Sequence, residues 1–298
     1  MKITAILSIV ILMSFSALAQ QQPSFLQYTY NTISINPAYA GYHNNLAFNF
    51  SGAGQHLDME GGQRTTSFSV HGPIPDKKIA VGGVFINDKI GVTSTNSVFG
   101  TYAYNFISRQ RNSYTSWKDN PHVLSVGLQA GATFYNEDLT SLRAPNDPKF
   151  DQNVNEVVPT FGAGIYYSRN TVYIGFSVPR LLGNSFGDNI TTKRHYYLNA
   201  GKQFKVGENS RLNLSSLAKF VNGSPIQYDV HGAYNWYGKF SLGAGYSSLS
   251  TLNFSTGIRV GGAFTMTYFF GLPIHDNSDI SSGKHEFMLS YVLKKNKS

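Results

Sequence analysis

The sequence predicts an all-β chain: a closed antiparallel transmembrane β-barrel of outer-membrane type, with about fourteen strands. Three observations predict it. Charged residues fill only 13% of the 298 positions, about half the roughly 25% usual for soluble domains. Aromatics reach 14%, with 19 Tyr and 21 Phe. Apolar residues alternate with small or polar ones in segment after segment, which is the pattern of strands with one greasy face. A soluble chain this poor in charge would struggle to cover its surface. A barrel in lipid needs an apolar exterior and a small or uncharged interior. A secreted stack of β-sandwiches is the alternative, but it would carry Lys, Glu and Thr outward where this chain has Leu, Val, Phe and Ala.

The first element is an export signal. Met1-Lys2 is a short positive start, Ile3 to Leu18 is mostly apolar, and Ala17-Leu18-Ala19 is an A-x-A cleavage site. A membrane anchor is the weaker reading, because the run is short and Gln20-Gln21-Gln22 follows at once. No Cys follows Ala19, so a lipoprotein anchor is not expected. With Cys absent throughout, backbone pairing and packing must stabilise the exported chain. The predicted division is a signal peptide over 1–19, a periplasmic or plug segment over 20–44, and the barrel over 45–298.

The strands are predicted at 45–54, 64–72, 78–87, 93–106, 122–135, 157–168, 171–179, 194–204, 210–221, 226–236, 239–248, 251–259, 262–271 and 283–293. The clearest sets Leu124, Val126, Leu128, Ala130, Ala132 and Phe134 against Ser125, Gly127, Gln129, Gly131, Thr133 and Tyr135. Phe161, Ala163, Ile165 and Tyr167 alternate with Thr160, Gly162, Gly164 and Tyr166 in the same way. So do Val172, Ile174, Phe176 and Val178, then Phe240, Leu242, Ala244 and Tyr246, and finally Phe287, Leu289, Tyr291 and Leu293. Tyr102, Tyr104 and Phe106, Tyr166 and Tyr167, and Trp236 and Tyr237 suit interfacial girdles.

An even strand count puts both chain ends on one side, expected to be periplasmic. Ser168-Arg169-Asn170, Tyr237-Gly238 and Val260-Gly261 then become short periplasmic turns. Asn136 to Glu156, Arg180 to Lys193 and Leu272 to Ser282 become long outer loops, the asymmetry such barrels show. Ile107 to Pro121 is the exception, a long basic loop where a short turn is expected.

Before the barrel lies a stretch that does not alternate. Asn36 is a good helix N-cap, Pro37 suits the first helical position, and Gly41 suits a left-handed stop. Ala38-Tyr39-Ala40 is therefore predicted as one clamped helical turn. One turn is not stable alone in water, so Phe25, Tyr28, Tyr30, Tyr39 and Tyr42 are expected to pack on the barrel mouth or lumen. A purely structural plug and a partner-contacting segment are both open readings.

Gln27-Tyr28, Asn31 and the run Ile35-Asn36-Pro37-Ala38-Tyr39-Ala40-Gly41 resemble the N-terminal motif of the PorP/SprF family. Thr66 to Pro73 (TSFSVHGP) and Val84 to Gly91 (VFINDKIG) resemble its second and third strands. Gly283-Lys284-His285-Glu286 with the following Phe287 to Tyr291 resembles its closing strand. The resemblance implies an outer-membrane protein of the type IX secretion and gliding machinery of Bacteroidetes-type bacteria. It further implies a scaffold that works with a periplasmic ring lipoprotein and other secretion components, or that holds secreted adhesins at the surface.

Candidate partner-binding residues are Gln27, Tyr28, Asn31, Asn36, Pro37, Ala38, Tyr39 and Gly41 at the mouth, and Arg109, Arg111 and Lys118 in the basic loop. The formal charge of +8 suits acidic partners or phosphate-bearing outer-membrane lipid; nucleic acid is not an expected partner. A passive diffusion porin is the alternative function, since inner faces rich in Gly, Ser and Thr leave space.

Catalysis is not expected. His275-Asp276-Asn277-Ser278 has hydrolase residue types crowded in one loop, with no sign of the spatially separate base and orienting group that a nucleophile needs. The other His residues lack metal-ligand spacing, and no glycine loop reads as a phosphate cradle, so no cofactor is expected. Glu286 should face inward and hydrogen-bond at the barrel closure.

Overall fold

The computed structural model describes residues 28–109, 120–142, 151–182, 185–186, 190–191, 193–274 and 283–293. Its strands are β1 (Ala47–Gln55), β2 (Gln63–Pro73), β3 (Ile79–Ile90), β4 (Thr93–Arg109), β5 (Asn120–Glu137), β6 (Val154–Asn170) and β7 (Val172–Val178). A two-stranded hairpin follows, β8 (Ser185–Phe186) with β9 (Ile190–Thr191). The chain then adds β10 (His195–Lys205), β11 (Ser210–Val221), β12 (Gln227–Trp236), β13 (Phe240–Ser247), β14 (Thr251–Val260), β15 (Phe264–Pro273) and β16 (Lys284–Val292). All but the hairpin form one closed antiparallel barrel, with β7 paired to β10 and β1 paired to β16. Closure gives each barrel strand a neighbour on both sides, which pairs backbone N–H and C=O groups that hydrocarbon could not satisfy.

The barrel strands sit within a few residues of the predicted ones, and the two faces separate as the alternation requires. On β5, Val126, Leu128 and Phe134 are exposed on the outside, whereas Ser125, Gln129 and Thr133 are buried within. The interior is held by hydroxyl and amide contacts between adjacent strands. Ser51 Oγ and Ser67 Oγ lie 2.7 Å apart, Ser97 Oγ and Thr133 Oγ1 2.9 Å, and Ser290 Oγ donates to Asn49 Oδ1 at 2.8 Å. Two assignments change. Tyr166 points inward and is buried, so it belongs to no girdle, while Tyr102, Tyr104, Phe106, Trp236 and Tyr237 do face out. Val178, expected on the outer face, is also buried.

Short connections gather at the terminal end, where β1 begins and β16 ends. Tyr237 and Gly238 both have positive φ, and Lys239 N donates to Trp236 O at 3.0 Å. This turn sits within a three-residue connection, Tyr237 to Lys239, between β12 and β13. The opposite end carries the longer connections 138–153, 179–194 and 274–283. The basic connection is shorter than predicted: β4 runs on to Arg109 and β5 begins at Asn120, with register shifts at Asn105/Ile107 and Asn120/Val123. Residues 110–119, with Arg111 and Lys118, lie outside the described residues.

Candidate functional site

The segment that precedes β1 folds inside the barrel near its terminal end. Two short 3-10 turns form it, Thr32–Ser34 and Pro37–Tyr39. The second is the predicted capped turn, with one correction. It is 3-10, not α, and stops at Tyr39, because Ala40 turns extended with ψ 133° and Gly41 follows at φ 74°. Asn36 caps it as expected: extended at φ −139°, it accepts from Ala38 N on Oδ1 at 3.0 Å. The first turn was not predicted; Asn31 stands at its N-cap position but makes no side-chain cap bond, its Oδ1 accepting from Ser69 instead.

The wall grips this knot through backbone and small residues. Asn36 Nδ2 donates to Ile165 O on β6 at 3.1 Å. Ser125 Oγ on β5 donates to Ala38 O at 2.5 Å, and Ser177 Oγ on β7 donates to Ile35 O at 2.7 Å. On the other side, Ser69 Oγ of β2 donates to Asn31 Oδ1 at 2.9 Å. Gly41 N donates to His71 Nδ1 at 3.2 Å. A backbone N–H can only donate, so that His71 nitrogen is unprotonated. Gly127 and Gly164 lie flat beneath the turn; a Cβ on Gly127 would stand 2.3 Å from Ala38 N, and one on Gly164 would stand 2.2 Å from Asn36 Oδ1.

Aromatic rings close the remaining space. Tyr39 stacks on Tyr42 with centroids 4.7 Å apart and meets Tyr166 edge-on at 5.3 Å. Tyr30 meets Phe269 edge-on at 5.5 Å, and Tyr28 packs with Ile35, Tyr197 and Leu217. Burial pushes the Tyr39 phenol well above its ordinary value, and the nearby Tyr42 and Tyr173 add to the shift. The knot is therefore held by neutral groups, as a poorly hydrated interior requires.

Of the predicted mouth residues, Tyr28, Asn31, Asn36, Pro37, Ala38, Tyr39 and Gly41 come together here, all buried. Gln27 and Phe25 lie outside the described residues, and Arg109 ends β4. Sequence reasoning missed the gripping wall residues Ser69, His71, Ser125, Gly127, Gly164 and Ser177. Their signals were membership of the small, polar face and, for Ser69 and His71, a place in the TSFSVHGP stretch.

Beneath the knot, toward the terminal end, a vestibule of about 270 Å³ remains. Its walls include Tyr30, Tyr39, Tyr42, Tyr166 and Tyr173, with His43, His71 and His231, several amides, and Arg259. Arg259 Nε donates to Thr265 Oγ1 at 3.2 Å. No group of three or more His, Asp or Glu placed to hold a metal occurs among the described residues.

Comparisons with known proteins agree with this architecture. The family model described as type IX secretion system membrane protein PorP/SprF matches residues 17–291. No curated protein matches the chain. Among solved structures, a TodX monoaromatic hydrocarbon channel mutant is similar at TM-score 0.50 and 12% identity, over 90% of this chain and 95% of that one. The toluene transporter TodX of P. putida gives 0.49 at 11%, covering 91% and 95%. Omp33, an outer membrane protein of Acinetobacter baumannii, gives 0.47 at 8%, covering 84% and 100%. At these identities the likeness is one of fold alone.

Proposed function

Because the chain belongs to the PorP/SprF family of type IX secretion system membrane proteins, we propose that this outer-membrane barrel acts as a non-enzymatic scaffold for the secretion or surface anchoring of adhesins. In this reading the terminal end faces the periplasm, where the ring lipoprotein and other secretion components meet it. Secreted adhesin is the cargo, and outer-membrane lipid is the surrounding solvent.

One observation supports a scaffold over a diffusion porin. The knot bonds to the wall on β2, β5, β6 and β7 at once, so it occupies the lumen a porin would leave open. A scaffold can dispense with an aqueous path; a diffusion channel cannot.

Conductance of the purified protein in planar bilayers tests this, with residues 20–44 present and deleted. The scaffold reading expects a silent intact protein and a large stable pore after deletion. An intact protein that conducts like an open porin would overturn it. In cells, the Asn36→Ala, Pro37→Ala double variant should lower adhesin secretion while the barrel stays folded by heat-modifiable gel mobility. Unchanged secretion would reduce the knot to packing.

A further inference from the structure

The vestibule is chemically one-sided. Arg259 and Lys202 line it, and no Asp or Glu does. Among the described residues no carboxylate pairs with Arg259, whose Nε donates to Thr265 Oγ1. A guanidinium beside neutral tyrosines and amides is matched by a carboxylate, which it can bind bidentately.

The rim around the vestibule repeats this bias. Lys77, Lys78, Arg169, Lys205 and Lys239 stand on its turns and strand ends. Against them, Asp76 and Glu208 are the acids of this rim among the described residues. The remaining described acids, such as Asp58, Asp88, Glu137 and Asp229, lie toward the loop end. A rim with an excess of one sign around a concave mouth draws in a partner of the other sign.

The tyrosine walls say more about that partner. A bare ion would leave those rings without a contact, whereas a polypeptide offers both a backbone to lie against them and a carboxylate for the arginine. We infer that the vestibule is a docking site for an acidic segment of a periplasmic polypeptide, anchored by its carboxylate on Arg259 and guided in by the basic rim. This deepens the scaffold reading and rests on it for the periplasmic orientation of the terminal end.

Direct binding tests it without depending on secretion, so the two readings can fail separately. The full-length protein in zwitterionic detergent is titrated with a short fluorescent oligo-glutamate peptide and with its oligo-glutamine counterpart, read by anisotropy. The glutamate peptide should bind at least about tenfold more tightly, and the preference should shrink as salt shortens the range of the rim charges. Arg259→Gln should lower glutamate affinity about tenfold, and Arg259→Lys should recover part of it. Heat-modifiable mobility reports whether these variants fold; if one does not, the comparison of the two peptides on the unaltered protein still decides. Equal binding of both peptides overturns the proposal. So does an Arg259→Gln protein that folds and binds as before. No glutamate preference in zwitterionic detergent, with phosphatidylglycerol retained by the parent protein and lost from Arg259→Gln, would overturn it in favour of a lipid headgroup.

Discussion

Asn36 and Ile165 lie 129 residues apart in sequence and are joined by one hydrogen bond, Asn36 Nδ2 to Ile165 O at 3.1 Å. The same amide caps the turn through Ala38 N. A single side chain thus shapes the knot and fastens it to the wall.

Replacing it should release the knot without opening the barrel. Asn36→Ala removes the cap and leaves buried groups unpaired, a combined cost of about 2–4 kcal/mol on docking. Limited proteolysis should then cut within residues 28–43 while heat-modifiable mobility is unchanged. Protection equal to that of the parent would show that the aromatic packing holds the knot alone.

Gly127 supplies a steric test of the same contact. A methyl there would stand 2.3 Å from Ala38 N and 2.4 Å from the Pro37 carbonyl carbon, and neither backbone atom can swing aside. Gly127→Ala should therefore displace the knot, by about 1–3 kcal/mol or more, and raise bilayer conductance. Gly100→Ala is the control, because its nearest neighbour is 3.8 Å away. Matching conductance in the two variants would contradict the close fit.

The outer face is tested at Leu128, which is 57% exposed midway along β5. Leu128→Arg should cost about 2–4 kcal/mol of folding stability in lipid vesicles, measured by urea titration. Leu142→Arg, at 50% exposure in the 138–153 connection, should cost about 0–1 kcal/mol. Equal costs would mean that Leu128 does not face hydrocarbon.

The strands were legible because period two survives wherever one face meets lipid and the other the lumen. Their ends were less so. β4, β5 and β6 run past the predicted limits at Ser108-Arg109, at Asn136-Glu137 and at Val154-Asn155-Glu156, where polar residues replace the apolar half of the pattern. The hairpin of β8 and β9 was too short to show a period at all. Glu286 does face inward, as its place in β16 predicted, and takes Lys284 as an ion-pair partner at 3.7 Å.

The knot was half legible. Asn36, Pro37 and Gly41 announced a turn because capping chemistry is local. Its seat was hidden, since Ser125, Ser177 and His71 meet it only after the sheet has curled. Arg259 likewise reads as an ordinary strand residue, because its neighbour Thr265 is local and only the curled barrel brings it to the same cavity as Tyr30.

The pairing of Ala47 with Val292 has a kinetic consequence. The cylinder becomes edgeless only when the two extremes of the polypeptide meet, so contacts of the longest range come due at the end, and such contacts form slowly. Until then the first and last strands keep bare margins, which leaves the unclosed sheet open to pairing with other chains.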